Sequence, residues 1–145
     1  EGYKDYSLFP GSGAAGGLGF GLMTFLKAHL QSGIETVLDI VDFDNVIKDC
    51  DLVISGEGRI DHQSMYGKVP TGVAKRAKKQ GIETVWIVGY IGSSVGDIYD
   101  CITTIERCVD HCCDIDEALE NAKDNVYKAA FRLARSIQLG QKMRF

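Results

Sequence analysis

The sequence lacks features that define several classes of protein. It has no apolar run long enough to cross a bilayer, and its net charge of -4 provides no basic field for a polyanion. Membrane and sequence-independent nucleic-acid functions are therefore not expected. A P-loop is also missing, because Gly67 and Lys68 are followed by Val69 rather than Ser or Thr. With 45% hydrophobic and 25% charged residues, the chain has an ordinary globular composition, and a small molecule is the expected partner.

An even, regularly spaced set of cysteines is missing too. The five cysteines include the adjacent pair Cys112 and Cys113, which does not suggest a secreted disulfide framework and indicates a cytoplasmic protein. Zinc binding at these cysteines, Cys108 and His111 is not favoured, because zinc sites usually draw on two separated ligand pairs. The chain begins at Glu1 without an initiator Met or a signal segment, which predicts a piece of a longer polypeptide.

Helices and strands are predicted to alternate along the chain. Runs of β-branched and other apolar residues predict strands at residues 36–41, 52–55, 84–89 and, more weakly, 102–105. Apolar residues at helical spacing and nearby glycines predict helices over residues 18–30, 44–49 and 72–80. The final helix follows Asp114, a capping residue, with Glu117 at the capping-box position.

The final helix carries one apolar stripe, which is expected to cover a face of a sheet. Its members are Ile115, Ala118, Leu119, Ala122, Val126, Ala130, Leu133 and Ile137. Apolar strands that alternate with helices are typical of a mostly parallel sheet with helices on both faces. The predicted fold is therefore a single Rossmann-like, three-layer α/β unit over residues 1–145. Ligands of such folds bind at the carboxyl ends of the strands.

A glycine-rich segment, PGSGAAGGLGFG, occupies residues 10–21. Gly11, Gly13 and Gly16 match the G-x-G-x-x-G spacing. Glycines let backbone amides approach an anion, and the positive end of the following helix favours a phosphate or carboxylate. This segment is predicted to bind an anion.

Two other interpretations of the glycine-rich segment stay open. In an NAD-dependent oxidoreductase it would follow a strand and precede an acidic residue such as Glu35 or Asp39, but residues 3–10 make a poor strand. In a non-catalytic module the small residues would only permit close packing of the helix.

Charged and polar side chains crowd the segment that follows the strand at residues 52–55. They are Glu57, Arg59, Asp61, His62, Gln63, Ser64 and Lys68. Phosphoryl transfer uses cations that neutralise developing charge, a carboxylate that holds Mg²⁺ or accepts a hydroxyl proton, and donors that orient the acceptor. A solvated loop with capping residues is the other interpretation, but crowding at one strand end favours a site.

These two segments together resemble the bacterial glycerate kinases of the glycerate 2-kinase type. The first resembles that family's glycine-rich segment. The second, DLVISGEGRIDHQSMYGKVPTGVAKRA, resembles its GEGR-x-D-x-Q-S-x-x-GK-x-P-x-GVA signature. Family members are considerably longer and have two α/β domains. The resemblance therefore implies that this chain is the C-terminal part of a two-domain kinase, inactive without the missing N-terminal part.

The resemblance also implies the chemistry: the γ-phosphate of ATP passes to D-glycerate, giving 2-phosphoglycerate, with Mg²⁺ assisting. Asp61 is assigned as general base or Mg²⁺ ligand, and Arg59 and Lys68 as cations that neutralise the glycerate carboxylate or the phosphate. Further contacts are assigned to Gly11, Ser12, Gly13, Gly16, Gly17, Glu57, Gln63 and Ser64. Transfer to the 3-hydroxyl, and which motif contacts ATP, stay open.

Overall fold

The computed structural model describes residues 4–61, 68–93 and 95–143, with the backbone alone at residues 96 and 97. Helices α1 (Ala14–Leu26), α2 (Gly33–Ile40) and α3 (Phe43–Ile47) precede strand β1 (Leu52–Ile60). They are followed by α4 (Val69–Lys79), β2 (Glu83–Ile91), a 3-10 helix (Gly96–Asp100), β3 (Thr104–Arg107), α5 (Ile115–Glu120) and α6 (Ala122–Lys142). Across these ranges, no helix has the length and apolar character that crossing a membrane requires.

The three strands form a parallel sheet in the order β1–β2–β3. Ser55 of β1 lies opposite Trp86 of β2, which lies opposite Ile105 of β3. Parallel neighbours need a long crossover, and α4 supplies it between β1 and β2. The predicted α/β class with a parallel sheet is confirmed.

One face of the sheet packs against α4. Trp86 and Val88 of β2 are fully buried there with Ala74 of α4 and Ile98 of the 3-10 helix. A second cluster joins α3, β1 and α4 through Ile47, Val53, Ala77 and Ile82. The main apolar core of the chain lies on this side.

The opposite face of the sheet packs against α6. Successive side chains of a strand point to opposite faces, so the Ile87 side chain points away from α4, towards a groove that Gly89 of β2 and Asn125 of α6 also line. Helix α6 packs on β2 and β3, and its Ala129 and Leu133 are buried. The prediction of helices on both faces is therefore confirmed.

The strand predicted over residues 36–41 is wrong, because residues 33–40 form helix α2. Ile34 and Leu38 are both buried at helical spacing, and Ile34 packs closely against Gly72 of α4. Glu35 and Asp39, also four residues apart, both pair with Arg76 of α4. Contacts with α4 thus override the β propensity of Thr36 and its β-branched neighbours.

Several predicted boundaries shift. Helix α1 ends at Leu26 instead of residue 30, because Lys27 takes a left-handed conformation (φ 54°). Strand β3 begins two residues later than predicted. The final helix is interrupted at Asn121 and divides into α5 and α6. The predicted Asp114 cap is confirmed, since the amide of Glu117 donates to its carboxylate at 2.9 Å.

Candidate functional site

The charged residues predicted as a site lie at the carboxyl end of β1. Glu57 and Arg59 belong to the last residues of the strand, and Asp61 follows it directly. The Arg59 Nε atom lies 3.7 Å from Asp61 Oδ2. The Arg59 Cζ atom lies 5.4 Å from the ring centroid of Tyr90, at the neighbouring end of β2. The structure therefore brings an arginine, an aspartate and an aromatic ring together where a parallel sheet presents its ligand sites.

The exposure of these side chains differs in a way that suits anion binding. The Arg59 side chain is 67% exposed, whereas that of Asp61 is 26% exposed. An exposed guanidinium held between a carboxylate and an aromatic face keeps most of its donors available to a carboxylate or phosphate.

Lys68 is the next described residue after Asp61 along the chain. It precedes α4 as the N-terminal flanking residue and is half-buried, and its carbonyl accepts a hydrogen bond from the amide of Gly72. The predicted contacts Gln63 and Ser64 lie outside the described residues. Lys68 thus lies near the positive end of the α4 dipole.

Two glycines near this strand end are required by strand packing. A Cβ on Gly56 would lie 2.8 Å from the carbonyl oxygen of Ile87, and one on Gly89 would lie 2.5 Å from that of Gly58. Such contacts are too short for real side chains, so the close approach of β1 and β2 excludes larger residues. Gly58 differs, because a Cβ there would meet nothing within 4 Å.

An open groove of about 1010 Å³ adjoins the strand ends. Its sheet side includes Glu57, Arg59 and Tyr90, and its helix side includes Ile115 and Leu119 of α5. Cys108 also lines it and is buried, and this burial raises the pKa of its thiol. The groove is largely apolar, and its charged residues are Glu57 and Arg59 at the end of β1 and Asp114 at the start of α5.

The glycine-rich segment begins in turns and continues into α1. Gly11, Gly16 and Gly17 have positive φ, which explains the glycines at these three positions, and Ala15 inside α1 has positive φ as well. The buried Ser12 donates its hydroxyl to the carbonyl of Ser7 at 3.1 Å.

Part of the backbone of the glycine-rich segment is occupied internally. The amides of Ser12, Ala14 and Gly17 donate to the carbonyls of Phe9, Gly11 and Gly13. The described residues that line the groove include none from this segment. The anion cradle at Gly11–Gly17 therefore stays a prediction, separate from the groove.

The sequence model of the Glycerate kinase family matches residues 1–138. This chain belongs to the glycerate kinase family. It is 42% identical over 134 residues to the glycerate kinase of Bacillus subtilis (strain 168), which covers 92% of this chain and 35% of that protein. It is also 42% identical over 141 residues to the glycerate 2-kinase of Escherichia coli (strain K12), covering 97% of this chain and 37% of that protein.

A solved structure agrees with this membership. A crystal structure from Salmonella typhimurium LT2, described as that of a glycerate kinase 2, superposes with a TM-score of 0.70 at 38% identity. The match covers 92% of this chain and 34% of that chain. The chain thus spans about a third of the length of the relatives it matches.

The structure meets neither requirement of the oxidoreductase alternative. Residues 4–10 contain turns rather than the strand that a dinucleotide fingerprint needs. The candidate acids Glu35 and Asp39 are paired with Arg76, so they hold α2 against α4.

Sequence reasoning missed Tyr90. It lies just beyond the predicted strand at residues 84–89, because β2 continues to Ile91. The sequence could have indicated Tyr90, since residues that follow two neighbouring parallel strands lie at the same edge of the sheet. The groove could not be found in this way, because it depends on where α5 sits.

Proposed function

We propose that the full-length protein containing these residues is an ATP-dependent glycerate kinase that phosphorylates D-glycerate to 2-phosphoglycerate. The observation that carries this proposal is the position of the family signature: Glu57, Arg59 and Asp61 lie at the carboxyl end of the parallel strand β1. The names of the B. subtilis and E. coli relatives support the substrate and the transfer.

Arg59 and Lys68 are proposed to bind anionic groups of the substrates. Phosphoryl transfer spreads negative charge over the equatorial oxygens of the phosphoryl group, and preorganised cations stabilise it without reorganisation. Arg59 suits this role because the Tyr90 ring and Asp61 orient its guanidinium. Lys68 would act from the start of α4, where the helix dipole also favours an anion.

Asp61 is proposed to hold Mg²⁺ or to accept the proton of the glycerate hydroxyl. One carboxylate at the strand end fits Mg²⁺, which commonly binds to one or two protein carboxylates together with water and substrate phosphates. In the described part of the chain, no cluster of three or more His, Cys, Asp or Glu side chains forms a self-sufficient metal site. When bound with ATP, Mg²⁺ would neutralise charge on the phosphates.

Further substrate contacts and the domain organisation of the full-length enzyme also belong to this proposal. Amides of the segment Gly11–Gly17 other than those of Ser12, Ala14 and Gly17 would bind a phosphate or carboxylate, and Glu57, Gln63 and Ser64 would supply supporting contacts. Residues 1–145 would form one α/β unit of a two-domain, cytoplasmic kinase, in keeping with the free thiols of the cysteines. The 145-residue chain alone is expected to be inactive.

The test is ATP- and Mg²⁺-dependent phosphorylation of D-glycerate by the full-length enzyme, with the phosphate position of the product identified. Asp61→Asn should lower kcat by about 10²-fold or more, the usual range for losing a general base. Asp51→Asn is the matched control, because Asp51 is exposed at the opposite end of β1. Turnover of Asp61→Asn within a few-fold of wild type would remove Asp61 from the mechanism.

Tyr90 can be tested as a positioning residue for Arg59. Tyr90→Phe keeps an aromatic face and should preserve activity, whereas Tyr90→Leu should raise KM for one substrate by about 2- to 5-fold, as expected for an exposed cation–π contact. Equal kinetics of the Phe and Leu variants would show that the ring does not position Arg59.

A further inference from the structure

A second pocket lies at the amino ends of strands β2 and β3. It has a volume of about 230 Å³, and its walls come from the end of α4, the start of β2, the 3-10 helix and the residues just before β3. Glu83, the first residue of β2, lines it, whereas Arg59 and Tyr90 lie at the other end of the sheet. None of its described lining residues belongs to the groove. This amino-end pocket is therefore separate from the candidate site.

The floor of the amino-end pocket combines apolar side chains with a hydroxyl. Ile82, Ile102 and Thr84 line the pocket and are 9%, 6% and 2% exposed. The hydroxyl of Thr84 has no hydrogen-bond partner among the described residues. Because buried hydroxyls nearly always have a partner, this one indicates a polar group that the described residues do not supply.

Both signs of charge are present at the rim of the amino-end pocket. Lys78, Glu83 and Asp100 line it and are exposed. Lys78 donates a hydrogen bond to the carbonyl of Asp100, and Glu83 accepts one from the hydroxyl of Thr103. Within the ranges that the structure describes, neither Lys78 nor Glu83 forms an ion pair. An ammonium and a carboxylate therefore line one pocket without neutralising each other.

The amino-end pocket also offers apolar contact area. Ile82 and Ile102 belong to its floor, and Tyr99, which is 53% exposed, belongs to its rim. A ligand gains free energy when it buries an apolar group against such a surface. The volume of about 230 Å³ admits a side chain of several carbon atoms together with its charged groups.

We propose that the amino-end pocket binds a small zwitterion, an α-amino acid with an apolar side chain of medium size. The carboxylate of this ligand pairs with Lys78 and accepts a hydrogen bond from Thr84. Its ammonium pairs with Glu83, and its side chain lies against Ile82 and Ile102. This binding site goes beyond the proposed phosphoryl transfer and uses none of the residues assigned to it.

Ligands with a single charge fit the amino-end pocket less well. A phosphate or a simple carboxylate would pair with Lys78 but would also meet the carboxylates of Glu83 and Asp100. An amine without a carboxylate would pair with Glu83 and would lie beside the ammonium of Lys78. Because like charges at a binding site weaken binding, a ligand that carries both charges is favoured.

The test is calorimetric titration of the full-length enzyme with L-leucine and with two matched analogues. Isocaproate lacks the ammonium of leucine, and isoamylamine lacks its carboxylate. Leucine should bind at least ~10-fold more tightly than either analogue, because each analogue loses a hydrogen bond to a charged group. Hydrogen exchange should locate the site: leucine should slow exchange at residues 81–84 and 99–103 and leave residues 57–60 unchanged.

Variants of the pocket separate binding from folding. Thr84→Val keeps the shape of the side chain and removes the buried hydroxyl, so it should weaken leucine binding by about 5- to 10-fold without lowering the unfolding midpoint of the free enzyme. Lys78→Met should also weaken binding. Lys79→Met is the matched control, because Lys79 lies on the same helix, is exposed and does not line the pocket.

Four results would overturn the proposal. They are the absence of both heat and protection with about 10 mM leucine, protection confined to residues 57–60, equal affinities for leucine and isocaproate, and unchanged affinity of both pocket variants. Binding and hydrogen exchange require no turnover. An enzyme that binds leucine at the amino-end pocket but does not phosphorylate glycerate would support this proposal while contradicting the proposed function.

Discussion

The two faces of the same sheet differ in how completely this chain covers them. On the α4 side, Trp86, Val88 and Ala74 are fully buried. On the α6 side, Ile54 and Leu119 are more than half exposed. Both faces are built from apolar residues, so composition does not separate them. On the α4 face, these 145 residues form a buried core by themselves. On the α6 face, the side chains are buried only where α6 packs on the sheet.

The strongest test of this comparison is truncation of one large side chain on each face. Trp86→Ala should destabilise the 145-residue chain by about 3–5 kcal/mol, the range for a buried aromatic residue. Ile54→Ala should cost less than about 1 kcal/mol, because half of the side chain is already solvated. Urea unfolding followed by circular dichroism measures both, and equal losses would contradict the comparison.

A second test adds a methyl group to the packed side. A Cβ on Gly72 would lie 2.5 Å from Cγ1 of Ile34, so Gly72→Ala should cost about 1–3 kcal/mol through overpacking. The double variant with Ile34→Ala should cost less than the sum of the single changes.

Gly140→Ala is the matched control for Gly72→Ala. Gly140 lies in α6 with nothing within 4 Å of its Cβ direction, so this substitution should stabilise the chain by up to about 1 kcal/mol. A loss of stability at Gly140 similar to that at Gly72 would show that the Ile34 contact is not the cause.

A smaller effect is expected from the ion pairs at the rim of the packed side. Arg76 pairs with Glu35, Asp39 and Asp44, and the hydrogen bond to Asp39 is the main cause that raises its pKa. Arg76→Gln should lower the unfolding midpoint at low ionic strength and less so in high salt, because salt screens partly exposed pairs.

Lys75→Gln removes the same charge from the same helix and serves as the control for Arg76. Lys75 is exposed, so its substitution should leave the midpoint nearly unchanged. Equal losses at positions 75 and 76 would indicate an effect of net charge rather than of the three ion pairs.

The smallest effect is expected at His111, which lies between β3 and α5 and contacts Glu117 of α5. A hydrogen bond to Asp110 and then the nearby carboxylate of Glu117 raise the pKa of His111 above its usual 6.5. Arg132, which pairs with Asp110, also faces this cluster. A raised pKa means that the folded state favours the protonated ring. Its contribution to stability is therefore present below pH 6.5 and is lost as the pH rises through the folded-state pKa.

Thermal unfolding of wild type and His111→Gln between about pH 6 and 8 measures this contribution. The difference in midpoint should shrink as the pH rises. A difference that is independent of pH would show that titration of His111 does not affect stability.

Local sequence patterns found most elements of the packed side. The runs that contain Val53 and Val85 were predicted as strands, and the helix between them was predicted within three residues of its start. These elements are apolar or amphipathic over their whole length, so the pattern and the tertiary environment agree. The extra length of β1, to Ile60, was missed because Gly56 and Gly58 are typical of loops.

Patterns failed where a distant contact decides the structure. Helix α2 was predicted as a strand, and its helical form depends on packing and ion pairing with α4. Nothing in the sequence near Arg76 indicates burial, yet its side chain is 16% exposed and pairs with α2 and α3. Long-range partners of this kind are invisible to a window of neighbouring residues.

The sequence by itself determined the family and predicted the charged residues at the end of β1. An apolar strand followed by a dense set of charged residues is readable without coordinates, because both are local features. It also determined the Asp114 cap, which needs only a residue three positions away.

Only the tertiary structure decided which apolar residues form a core and which form an open surface. Ile115 and Leu133 belong to one predicted stripe, but Leu133 is buried and Ile115 is exposed. The contact between Tyr90 and Arg59 was decided in the same way. Helical periodicity gives the direction of a side chain, whereas burial depends on whether another element lies in that direction.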